Sequence, residues 1–79
     1  MAPAHIGIVG VSAEGASLCY RTICIDGGRR LGAHHHPEVS MHTNDFGAYI
    51  ERLAADDWDG VAELLIDSAR KLERVGPTS

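Results

Sequence analysis

The groups in this chain able to do chemistry are two cysteines, five histidines and a serine set close behind a glycine. Ser12 follows the run Ile6, Gly7, Ile8, Val9, Gly10, Val11 and precedes an amphipathic stretch beginning at Ala13. That places it at the N-cap of a helix entered from a buried strand through a tight glycine turn, with Glu14 in the first helical turn to complement the dipole. Backbone N–H groups at such a corner point at an anion lying beyond the carboxyl end of the strand. Gly10, Val11 and Ser12 are therefore the first candidate binding residues. His42, near the carboxyl end of a second strand candidate, is either a fourth or an ordinary strand-end imidazole.

Three other arrangements offer sharper chemistry and carry less. Cys19 and Cys24 lie five apart on one predicted helix, so they point to different sides and cannot bridge each other. Both sit away from any helix N-terminus that would favour a thiolate, and core packing is their expected role. His34, His35 and His36 cannot all reach one ion without a special backbone, and no cysteine or carboxylate follows at ligand spacing. A solvated loop is expected there, and no metal. The run from Gly10 to Gly15 comes near the dinucleotide fingerprint. However, Ser12 stands where the middle glycine must let a pyrophosphate approach. Asp45 lies about ten residues too late to hold a ribose.

The elements that must position these groups follow from periodicity. Residues 6–9 carry no polar face, as in a parallel strand covered on both sides. A helix over 13–30 has Ala16, Cys19, Tyr20, Ile23 and Cys24 as its buried face, weakened at Gly27-Gly28 and stopped near Gly32. Val39, Met41 and Thr43 alternate with Ser40 and His42 in a second strand. Asn44 or Asp45 caps a short helix bearing Phe46, Tyr49, Ile50 and Leu53. Asp56-Asp57 starts a longer one, with Trp58, Val61, Leu64, Leu65, Ala69, Leu72 and Val75 as its core stripe, ended by Gly76-Pro77. The order is β-α-β-α-α. Residues 1–4 read as a short leader. A βαβ pattern calls for a third strand after Gly76, and residues 77–79 are not one. The expectation is the start of a parallel-sheet, flavodoxin-like α/β lobe, truncated before its third strand, over residues 1–79.

At 79 residues and a net charge of −4, the chain is one small unit. Without a basic cluster, it is an unpromising partner for nucleic acid or a membrane surface. No apolar run is long enough to span a bilayer, and no basic leader precedes an apolar core. A reduced, cytoplasmic setting is expected. The uncharged edge of the first strand leaves the isolated chain prone to open, aggregate or pair with another copy.

The sequence resembles the aspartate/glutamate racemase family. The resemblance rests on IGIVG followed by Ser12, on Tyr20-Arg21, on HPEVSMHT over residues 36–43, and on DDWDGVAELLIDSARKLERVG over 56–76. It covers nearly the whole chain and keeps the order and spacing of these pieces. It implies a cofactor-independent amino-acid racemase of two similar lobes, with one cysteine per lobe on opposite faces of the substrate Cα. One thiolate removes the proton and the other thiol returns it on the far side. The family's first catalytic cysteine follows the third strand, so no catalytic residue carries over and this stretch alone is expected to be inactive. What carries over is substrate contact at Gly10, Val11, Ser12 and His42. The chain departs from the family in that turn, where a second glycine and a methionine are common and Gly10-Val11 stands instead. The competing expectation is a small anion- or nucleotide-binding α/β module without catalysis.

Overall fold

The computed structural model describes residues 5–76; the expected leader and the Pro77 stop lie outside them. Five elements follow in order: β1 (His5–Gly10), α1 (Ala13–Leu31), β2 (Glu38–Thr43), α2 (Phe46–Ala54) and α3 (Trp58–Arg74). The chain is α/β, in the order β-α-β-α-α.

β1 and β2 pair in parallel, from His5 opposite Glu38 to Gly10 opposite Thr43. Because side chains alternate across a strand, this register puts Ile6, Ile8 and Gly10 with Val39, Met41 and Thr43 on one face. His5, Gly7 and Val9 share the other with Glu38, Ser40 and His42. α1 lies on the first face and α3 on the second. The α1 side is the better sealed: Ile8 is 6% exposed, whereas Val9 on the α3 side is 38% exposed. The expected burial of the whole β1 run on both faces is thus only half met. Among the described residues the sheet has two strands, so a helix laid over it overhangs and cannot seal a full face.

The same narrowness corrects the expected helix stripes. α1 buries only Ala16 and Gly27, with Ile23 half-buried, while Tyr20 is exposed and Cys19 also faces solvent. These buried positions form one thin line along the helix; Cys19 and Tyr20 flank it and are exposed. Gly27 does more than weaken the helix, since a Cβ there would lie 2.8 Å from the His36 Cα. α1 ends at Gly32, close to the expected stop. On α3 the buried line is Gly60, Ser68 and Leu72. Leu65 and Ala69 are turned out, and Trp58, expected in the core, is 63% exposed with its Nε1 donating to Asp56 Oδ1 at 2.7 Å. α2 packs against α3 and buries Tyr49 completely.

The layers form a slab of 46 × 26 × 14 Å with a radius of gyration of 14.6 Å. A compact chain of this length has about 12 Å. The accessible surface of 5717 Å² likewise exceeds the roughly 4,700 Å² typical of a globular chain of this mass. Much apolar surface on the helices stays uncovered.

Candidate functional site

The carboxyl ends of the paired strands, Gly10 and Thr43, meet the start of α1. Gly10 is buried and belongs to β1. Its role differs from the expected turn-former. A Cβ at this position would collide with Thr43 Cγ2 and come within 2.9 Å of the Ala16 Cβ. The missing side chain lets α1 start directly on the strand pair, which fixes where its N-terminus points.

Ser12 caps that helix as expected. Its backbone is extended, at φ −101° and ψ 151°. Its Oγ accepts from the Gly15 amide at 3.0 Å, and its carbonyl accepts from the Ala16 amide at 3.0 Å. Helices leave their first amides without intrahelical acceptors. With Gly15 and Ala16 served by Ser12, the amides of Ala13 and Glu14 remain for an outside acceptor. The Ser12 hydroxyl, accepting from Gly15, still has its own proton to give. Val11 is 36% exposed beside them. Such a corner can bind a small carboxylate with the Glu14 side chain as local competitor, because both favour the positive end of the helix. Ser12→Ala is expected to lower stability by about 1 kcal/mol, read as a reduced Tm in circular dichroism; an unchanged Tm contradicts the cap.

His42 is not at this corner. Thr43 packs toward Gly10 on the α1 face, so His42 projects to the α3 face. There its Nδ1 lies 2.6 Å from Ser68 Oγ, and Ser68 Oγ donates to the His42 carbonyl at 3.2 Å. Ser68 is fully buried, which makes this pair the polar bolt between β2 and α3. Sequence reasoning passed over Ser68. The signal was present, since Ser68 stands four residues from both Leu64 and Leu72 on the core line of α3. Asn44 adds a second tie, donating through Nδ2 to the Leu64 carbonyl at 2.9 Å. A cavity of about 320 Å³ opens beside the bolt, lined by Ser40, Met41, His42, Lys71, Leu72 and Val75. Lys71 is spoken for by Asp67, 3.0 Å away and four residues earlier on the same helix. That ammonium, first of all by hydrogen bonding, holds the Asp67 carboxyl below its usual value against an opposing effect of burial.

The thiols stay remote from both places. Cys19 is exposed and Cys24 half-buried on the body of α1. Hydrogen bonding with Cys24, and then the charge of that group, raises Tyr20 above its usual value. The Tyr20 ring also meets His36 edge-on, with centroids 6.4 Å apart. His36 Nδ1 contacts the Pro37 carbonyl at 2.7 Å, and among the described residues no group of three His, Cys, Asp or Glu side chains converges as a metal site would require. No helix of the described residues is long and apolar enough to cross a membrane. Comparison with protein-family models, curated proteins and solved structures yields no match.

Proposed function

We propose that residues 1–79 form the opening part of the first α/β lobe of a cytoplasmic, cofactor-independent amino-acid racemase acting on aspartate or glutamate. The observation that carries this is the corner at the end of β1, where Gly10 admits α1 and Ser12 caps it with two first-turn amides left over. In this role the amides of Ala13 and Glu14 and the Ser12 hydroxyl take a substrate carboxylate and hold it beyond the strand end. That placement fixes the substrate Cα relative to whatever base approaches it. His42 acts indirectly: its bond to Ser68 sets the position of β2 and hence of Thr43 against Gly10.

The proton transfer itself belongs to thiols outside this stretch. Neither Cys19 nor Cys24 stands at the corner or at a helix N-terminus, where a thiolate gains stability. This same observation favours a second reading for the stretch taken alone, that of an anion-binding module without catalysis.

A labelled sample of the chain titrated with L-aspartate and L-glutamate in heavy water tests the binding half. Amide shifts centred on residues 11–15 are expected, with no deuterium entering the amino-acid Cα. Shifts confined to the Ser40–Lys71 cavity would move the site to the other face of the sheet. Exchange at Cα that disappears in Cys24→Ser would return the chemistry to α1.

A further inference from the structure

We propose that α2 and the turn into α3 form a docking surface for a basic amphipathic helix, independently of the corner at Ser12. Phe46, Ile50 and Leu53 follow the helical repeat along α2 and are 48%, 47% and 44% exposed, next to the buried Tyr49. By helical spacing they lie beside Tyr49, the residue α2 buries. An isolated apolar stripe of this kind names no occupant, but its surroundings do. Asp45 stands at one end, Asp56, Asp57 and Asp59 at the other, and Glu51 on the flank. Against these five acidic groups the segment has one basic residue, Arg52, whose guanidinium reaches back to the Ala48 carbonyl. The resulting −4 over residues 45–59 equals the net charge of the entire chain. The ion pairs among the described residues, His5–Glu38, Arg30–Asp26 and Lys71–Asp67, all lie elsewhere.

This charge selects the occupant. A second copy would set the same acidic ends against each other, and like charges brought together at an interface are strongly disfavoured. Anionic membranes and nucleic acids meet the same repulsion. A helix with apolar residues on one face and Lys or Arg at its ends matches both the stripe and the acidic ends, in the manner of helix-in-groove recognition.

Trp58, the sole tryptophan and largely exposed at the acidic end of the stripe, reports binding without a label. The full chain is titrated with a synthetic leucine–lysine amphipathic helix and with its leucine–glutamate counterpart, following Trp58 emission. The lysine peptide is expected to bind with an affinity that falls about tenfold from low to high salt as the charges are screened, and the glutamate peptide not at all. Ile50→Ser should weaken binding by about tenfold or more. Asp59→Asn, in the first turn of α3 but taking no part in the Asp57–Gly60 cap hydrogen bond, should leave the circular dichroism unchanged and flatten the salt dependence. Should Ile50→Ser unfold the chain, the Asp59→Asn salt slope decides. Equal binding of both peptides, a salt slope untouched by Asp59→Asn, or adsorption to phosphatidylglycerol vesicles overturns the proposal. So does a concentration-dependent dimer in sedimentation that Ile50→Ser abolishes.

Discussion

Tyr49→Ala should cost the chain about 3–5 kcal/mol, the usual loss on truncating a large buried aromatic side chain. Tyr49 is 1% exposed and is the one residue α2 buries. Ordinary domains are stable by only about 5–15 kcal/mol, and a slab with so little sealed core has no excess to lose. The substitution should therefore detach α2 and leave most molecules without cooperative unfolding in urea. Tyr49→Phe should behave in the opposite way. The Tyr49 hydroxyl is buried without a hydrogen-bond partner, and an unsatisfied buried polar group costs about 1–3 kcal/mol. Removing it should leave the urea midpoint unchanged or raise it. A Phe variant as damaged as the Ala variant would mean that the hydroxyl is bonded in solution and that the packing around α2 is misjudged.

Gly10 gives the second large effect, and it bears directly on the site. A methyl group placed there strikes Thr43 Cγ2 and Ala16 Cβ, so Gly10→Ala must push α1 away from the strand pair, at about 1–3 kcal/mol for overpacking. The displacement also tilts the Ala13 and Glu14 amides, so any carboxylate binding at the corner should weaken along with stability. Gly28, within α1 and with open space around it, is the control. Gly28→Ala should stabilise α1 by about 0.5–1 kcal/mol, since alanine gives up less backbone freedom than glycine inside a helix. If thermal melts show Gly10→Ala to be harmless, α1 does not rest on β1 as described.

The two substitutions also mark what was legible in the sequence. Element order and the starts of α1 and α3 rest on local signals: Ser12 caps α1 as expected, and within the expected Asp56-Asp57 start it is Asp57 that accepts from the Gly60 amide. Which side of each helix is buried was less legible. Apolar spacing offered Cys19, Tyr20, Leu65 and Trp58 as core, but a helix seals only as wide an arc as its neighbour covers, and two strands cover little. The buried line then went to small residues, Ala16, Gly27, Gly60 and Ser68, whose packing value depends on what approaches them. His42 failed as a corner residue for a related reason. Its sequence position fixed its distance along β2, but its face is set by register, and register put it with Ser68. The partnerless Tyr49 hydroxyl has no signature in the sequence at all.

The central claim is that the Ser12 corner serves an amino-acid racemase whose thiols lie outside residues 1–79. The most direct measurement is deuterium uptake at Cα, together with chiral analysis, when the complete reading frame containing this stretch is incubated with L-aspartate or L-glutamate in heavy water. The expected result is exchange with inversion, strongly reduced in Ser12→Ala and Gly10→Ala and unaffected in Cys19→Ser and Cys24→Ser. A complete reading frame that neither exchanges the Cα proton nor racemises either amino acid would contradict it.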